Sequence, residues 1–212
     1  MSDDIIGTTP DIWGEGYSTD SATVERDYEA FAGTGSYDET FEEWGYVGPE
    51  TAAAIVRNYV PLGSRILDAA CGSGLTGAAL ARLGYTRITG IDITQGLLDV
   101  AEGTGAYERL ERVDMQAFPL PFDDDEFDAV EFIGALTYFE TSEILRELCR
   151  IVRPGGLVLV DNAFAFGELF SESPSDPETP AIRAFNDLIA GTPGLHPILV
   201  PFGDGLWVAV RE

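Results

Sequence analysis

Hydrophobic positions along the chain fall into blocks of two kinds. Compact apolar runs at 66–69, 87–93, 127–133 and 157–161 have the length and composition of buried strands, the last of the nearly continuous kind found in parallel sheets. Between them, apolar residues recur three and four positions apart, over 75–83, 95–102 and 141–152. In the last of these Ile144, Leu145, Leu148, Ile151 and Val152 form one stripe, which predicts a helix with one buried face. A weaker strand is expected within 107–115, between the second and third of these helices and the run at 127–133.

Ahead of the first strand the pattern is helical. Ser21 or Thr23 is a candidate cap for a helix over 22–32, which Gly33-Thr34-Gly35 ends. A short helix is expected over 37–44, and Gly48-Pro49 starts another over 50–59. Residues 1–21 are an irregular arm. After the strand at 157–161, residues 167–180 are a polar loop and 181–190 a helix. The runs at 198–201 and 206–210 form a closing hairpin across Gly203-Asp204-Gly205.

Composition narrows this. A chain of 212 residues suits one well-buried domain spanning 1–212, with 45% hydrophobic and 11% aromatic residues excluding a disordered polymer. No apolar run reaches the eighteen or so residues of a membrane span, and Met1-Ser2-Asp3-Asp4 has no signal-peptide character. Cys71 and Cys149 lack metal spacing and are expected as reduced, cytoplasmic thiols. The charge is extreme: 37 acids face 12 basic residues, every one an arginine, for a net −25. Such a surface disfavours nucleic acid and membranes as partners. It suits the cytoplasm of a salt-accumulating halophile, because near molar salt the screening length falls to about 3 Å.

The chemistry centres on Ile66-Leu67-Asp68-Ala69-Ala70-Cys71-Gly72-Ser73-Gly74-Leu75-Thr76-Gly77. A strand, a glycine turn and a helix N-terminus let a ligand approach the main chain and its free N–H groups. Gly72-x-Gly74-x-x-Gly77 also satisfies the dinucleotide fingerprint, so a nicotinamide-dependent oxidoreductase is one reading. Asp68, at the strand end, would repel a pyrophosphate and suit a positively charged ligand. Asp92, eighteen positions after Gly74, stands where an acid takes ribose hydroxyls. The four acids 123–126 are a solvated turn, since a run in one tight turn splays outward. His196, the only histidine, has a structural or exposed position.

The stretch at 66–77 closely resembles the first motif of the class I S-adenosylmethionine-dependent methyltransferases. Gly90-Ile91-Asp92-Ile93-Thr94, the string Leu120-Pro121-Phe122 leading to Phe127-Asp128-Ala129-Val130, and Arg153-Pro154-Gly155-Gly156 extend the likeness. Tyr28-x-x-Phe31-Ala32-x-x-x-x-Tyr37-Asp38 resembles the start of many small-molecule members of that family, and Glu43-Trp44-Gly45-Tyr46-x-Gly48-Pro49 resembles its Williams–Beuren region branch. The resemblance implies an α/β fold: a three-layer Rossmann-like sandwich around a seven-stranded, mostly parallel sheet with an antiparallel last strand. An N-terminal arm and helical lid (1–47) would cover a core (48–212). It implies S-adenosyl-L-methionine as cofactor, with S-adenosyl-L-homocysteine as product, and a small-molecule acceptor. The cofactor would meet Asp68, Ala70, Cys71, Gly72, Ser73 and Gly74, then Asp92, Ile93, Thr94 and Leu97. Asp114, Met115 and Gln116 would hold its adenine, with Ile133 and Gly134 by the sulfur and Tyr37, Trp44 and Tyr46 as wall. Methyl transfer from a sulfonium needs no acid, and needs a base only for a protonated acceptor. Glu131 and Tyr138 are the candidate bases, with Glu140 and Asp161 behind them. A binding protein that keeps the cofactor site without catalysis is the third reading.

The composition makes one prediction testable without a ligand. Thermal stability should rise steeply with KCl between low and molar concentrations; a midpoint independent of salt would remove the halophilic reading.

Overall fold

The structure is a computed structural model that describes residues 20–35, 38–39, 45–139, 141–175 and 178–212. The arm at 1–19, most of the helix expected over 37–44, and with them Tyr37, Trp44 and Glu140, lie outside the described residues.

Helix α1 (Ser21–Ala32) is capped by Asp20, whose carboxylate accepts the Thr23 N–H at 3.0 Å. Ser21 and Thr23, the expected caps, therefore fall inside the first turn, and Ser21 is free to bond elsewhere. Helix α2 (Gly48–Tyr59) starts two residues earlier than expected, with Pro49 in its first turn. The chain then runs β1 (Ile66–Ala69), α3 (Leu75–Arg82), β2 (Ile88–Asp92), α4 (Gln95–Gly103), β3 (Arg109–Arg112) and β4 (Phe127–Phe132). A 3₁₀ turn at Leu136–Tyr138 leads to α5 (Thr141–Ile151) and β5 (Val152–Val160). A second, at Ala165–Phe170, occupies part of the expected loop. Helix α6 (Thr179–Gly191) and the strands β6 (Leu195–Val200) and β7 (Leu206–Arg211) complete the fold. Strand β6 takes in His196 and Pro197, expected in a loop; at the sheet edge a proline removes no needed ladder bond.

The seven strands lie in the order β3-β2-β1-β4-β5-β7-β6. The first five pair in parallel, and β7 runs antiparallel to both β5 and β6. The Rossmann-like sandwich and the antiparallel last strand are as the motifs implied. Arg153-Pro154-Gly155-Gly156 differs: instead of separating helix from strand it is part of β5, and the β4–β5 register shifts beside it.

Alternation divides each strand between two cores. Leu67, Ala69, Ile91, Val130, Phe132, Val158 and Val160 pack against Ile144, Leu148 and Ile151 of α5 and Ile182, Phe185 and Ile189 of α6. Ile66, Ile88, Ala129, Leu157 and Leu159 face Ala52, Ala53 and Val56 of α2 and Ala79 and Leu80 of α3. The acidic turn is not merely solvated: Asp124 meets Arg150 at 2.8 Å, Asp125 pairs with Arg211 and Glu126 with Arg65. Arg150 also donates to the carbonyls of Leu120 and Phe122, so it fastens the whole approach to β4.

Two polar residues inside this packing set its tolerances. The first is Tyr107, whose ring lies between α3 and the sheet. A Cβ on Gly77 would stand 2.2 Å from its ring and one on Gly90 2.7 Å from it, so the third glycine of the motif makes room for Tyr107. The second is Glu131 on β4, opposite Asp68 in register. It was a candidate base, but it is fully buried, it does not line the cavity, and neither carboxylate oxygen has a hydrogen-bond partner among the described residues. Burial first, and the nearby Asp68 second, push its pKa well above the ordinary carboxyl range. Burial thus favours the neutral form of Glu131 inside the sheet.

Both features have measurable consequences. Gly77→Ala should destabilise the fold by about 1–3 kcal/mol through overpacking, with most of the loss absent in a Tyr107→Ala background. A denaturant double-mutant cycle with no coupling would refute the steric account. For Glu131, the unfolded acid ionises near pH 4.3 while the folded one stays protonated. Its contribution is whole below that pH and is lost as pH rises toward the folded pKa. Glu131→Gln should therefore gain stability over the unaltered protein at pH 8 and lose that advantage by about pH 4. A gap constant across that range would show that Glu131 is ionised in the fold.

Candidate active site

A cleft of about 930 Å³ opens off the carboxyl ends of β1, β2 and β4. This is where strand order reverses, β1 leading to β2 on one side and β4 on the other, and where open α/β sheets bind ligands. The glycine turn forms its floor. Ala70 lies in the left-handed region at φ 56°, and Gly74 at φ 92° ends the turn as the N-cap of α3. Residues 70–73, Leu75 and Thr76 line the cleft, and Gly74 between them does not.

One half of the cleft carries two carboxylates. Asp92 is 8% exposed at the end of β2. Its Oδ2 accepts the Gly72 N–H at 2.9 Å and its Oδ1 the Thr94 N–H at 2.8 Å. The Thr94 hydroxyl and the Ile93 N–H also bear on this carboxylate, which lines the cleft. Burial raises the Asp92 pKa, against hydrogen bonds from Thr94 and Gly72 that lower it. Ile93, Thr94, Leu97, Val113 and Met115 supply flat apolar walls on either side. Asp114 lines the end of this half, its Oδ1 accepting the Ser21 hydroxyl at 3.0 Å and the Gln116 N–H at 2.9 Å.

Asp68 is placed differently from its expected role. It does not line the cleft. Its Oδ2 accepts the Gly77 N–H at 3.0 Å and the Tyr107 hydroxyl at 2.6 Å, below the turn. Burial lifts its pKa to about 7, although both hydrogen bonds pull the other way. It braces the turn and offers no face to a ligand, so its charge no longer argues against a pyrophosphate. Ser73 is the polar side chain of the floor. It is 2% exposed, lines the cleft, and its Oγ has no hydrogen-bond partner among the described residues. A buried hydroxyl left unpaired costs about 1–3 kcal/mol, which a ligand's polar group would offset. Cys71 lines the same floor, its thiol pKa pushed up by burial, which makes it an inert wall.

The other half is aromatic. Ile133, Gly134, Ala135, Tyr138 and Phe139 follow β4, and Tyr28 of α1 and Tyr46 close the side. The Tyr28 and Tyr138 hydroxyls are 2.8 Å apart with their rings edge to face, and Gln116 Nε2 donates to the Tyr138 carbonyl at 3.3 Å. Tyr46 donates to Asp161 at 2.7 Å. The cleft thus unites Ala70, Cys71, Gly72, Ser73, Asp92, Ile93, Thr94, Leu97, Asp114, Met115, Gln116, Ile133, Gly134 and Tyr138, and leaves out Asp68, Gly74 and Glu131. His196 is on β6, two-thirds exposed and 2.8 Å from Glu212. Ser21 and Val24 of α1 also line the cleft; three positions apart on one helix they share a face, and Ser21, a candidate cap by sequence, instead bonds Asp114.

Comparison with known proteins agrees with this geometry. Residues 67–160 match the family model described as a methyltransferase domain. The human methyltransferase-like protein 27 is 34% identical over 126 residues, 58% of this chain and 51% of that protein. Demethylmenaquinone methyltransferase of Clavibacter sepedonicus is 40% identical over 110 residues, 50% of this chain and 44% of the relative. The chain therefore spans about half the length of the curated relatives it matches. Among solved structures, the Bacillus cereus O-methyltransferase in complex with S-adenosylhomocysteine superposes with TM-score 0.64 at 16% identity, covering 92% of this chain and 98% of that one. The O-methyltransferase TomG of Streptomyces achromogenes, in complex with S-adenosylmethionine, gives 0.62 at 16%, covering 92% and 97%. Those two likenesses show the fold, and within it residues 67–160 are similar to a methyltransferase domain.

Proposed function

We propose that this protein transfers a methyl group from S-adenosylmethionine to a small-molecule acceptor. The observation that carries the reading is the switch-point cleft itself, floored by residues 70–73 inside the segment that matches the methyltransferase domain, where the Ser73 hydroxyl has no partner among the described residues. In this assignment Asp92 takes the ribose hydroxyls and Asp114 the adenine amine. Ser73 and the main chain of residues 70–73 hold the amino-acid end. Bound there, the cofactor supplies a methyl group on a sulfonium, which leaves as a neutral thioether. Ile133, Gly134, Tyr46 and Tyr138 border the place where the acceptor must stand. In-line positioning between these walls is the main catalytic contribution available. Residues 1–47 serve as arm and lid over the core at 48–212. The Glu43-Trp44-Gly45-Tyr46-x-Gly48-Pro49 motif supports a place beside the Williams–Beuren region branch, and the lysine-free acidic composition supports work in a salt-rich cytoplasm.

The nicotinamide reading shares Asp92 and the glycines, so a direct comparison decides. Calorimetry in high KCl should show S-adenosylmethionine and S-adenosylhomocysteine binding and NAD not binding; NAD alone binding would overturn the assignment. Asp92→Ala should weaken S-adenosylhomocysteine by about 1.5–3 kcal/mol, roughly 10- to 150-fold. Unchanged affinity would remove Asp92 from the site. A metabolite screen for transferred labelled methyl then separates an enzyme from a binding protein.

A further inference from the structure

The aromatic half of the cleft contains one hydroxyl with an acid behind it. Tyr46 lines the cleft and donates to Asp161 Oδ2 at 2.7 Å. Asp161, the residue after β5, is 3% exposed and does not line the cleft, so its carboxylate meets the interior of the site through Tyr46. The tyrosine is held where it stands. A Cβ on Gly48 would come within 2.7 Å of its ring and hydroxyl, and one on Gly134 within 3.0 Å of its hydroxyl. Its oxygen therefore sits against the turn that follows β4, at the aromatic end and away from Asp92. Around it Pro49, Ala135, Tyr138 and Phe139 offer flat apolar surface.

Asp161 can hold a proton. Burial raises its pKa, although hydrogen bonds from Tyr46 and from the Asn162 N–H oppose the rise. The other ionisable groups near this wall are Tyr28 of α1 and Tyr138 after β4, which bond each other. Deeper on the same sheet face are Glu131 and Asp68, both with raised pKa.

On the methyltransferase reading above, we infer that Tyr46 and Asp161 form a proton path for an acceptor whose nucleophile is a hydroxyl on a flat, aromatic or enolic framework. The acceptor O–H proton moves to Tyr46 Oη as the Tyr46 proton moves to Asp161 Oδ2. The acceptor oxygen meanwhile bonds to the methyl carbon, and the electron pair of the broken C–S bond stays on sulfur. The pair ends one proton richer and returns it to water once product leaves. Tyr46 touches the acceptor; Asp161 is a positioning residue that acts through it.

A chromophoric phenol tests this without turnover. 4-Nitrophenol ionises near neutral pH with a change of colour. Bound to the protein loaded with S-adenosylhomocysteine, it should show its phenolate band at a pH about one unit lower than it does in Tyr46→Phe or Asp161→Asn. Tyr46→Phe keeps the ring and its packing, so the comparison stands even where Asp161→Asn does not fold. S-adenosylhomocysteine affinity, measured by calorimetry, should stay within about twofold in Tyr46→Phe. An unchanged titration in Tyr46→Phe, no binding of 4-nitrophenol, or a tenfold loss of S-adenosylhomocysteine affinity overturns the proton path. Failure of the unaltered protein to bind S-adenosylhomocysteine would instead overturn the methyltransferase reading, and this inference with it.

Discussion

The site rests on the carboxylate of Asp68. One oxygen ties the end of β1 to the first turn of α3 through Gly77 and to the segment before β3 through Tyr107. Taking that charge out of water is costly, and two hydrogen bonds offset only part of the cost, as the lifted pKa shows. The reward is shape. With Tyr107 wedged into the space left by Gly77 and Gly90, the turn above has a packed foundation, and Ala70 can be kept in a conformation it would rarely adopt alone.

Above that foundation the cleft is divided by chemistry. Carboxylates at the ends of β2 and β3 face one half and tyrosines the other. The division follows from topology: β2 and β3 lie on one side of β1, and β4 and β5 on the other. Helix α1 spans the two halves, with Ser21 on Asp114, Tyr28 on Tyr138, and Glu29 accepting the Gly96 N–H at the start of α4. A carboxylate at a helix N-terminus is a favourable placement, so α1 is attached by polar contacts and buries only Phe31 deeply.

Much of this was legible in residue order because it is local. The strand–turn–helix unit at 66–82, the acid closing β2 and the hairpin at 195–211 are each a short continuous stretch of chain. What the chain concealed was the direction of side chains whose partners are remote. Asp68 looked like a ligand contact because Tyr107, thirty-nine positions on, was not visibly its partner. Glu131 looked like a base because an acid near a strand end fits that role; its register opposite Asp68 places it one layer too deep. The acids at 124–126 looked solvated because Arg65, Arg150 and Arg211 reach them from three separate elements. Tyr46 was expected as wall and Asp161 as a possible base, but their pairing spans 115 positions and is written in no motif.

The arginine-only set of cations has a consequence for experiment. Guanidinium groups stay protonated at any accessible pH, and the exposed carboxylates are fully ionised above about pH 6. With no lysine and a single histidine, the surface of this protein is nearly silent between pH 6 and 9. Among the few groups that exchange protons across that window is Asp68, whose pKa burial lifts to about 7. A simple acid–base titration of the folded protein, hopelessly crowded for most enzymes, here has few groups to separate from the acid that braces the turn.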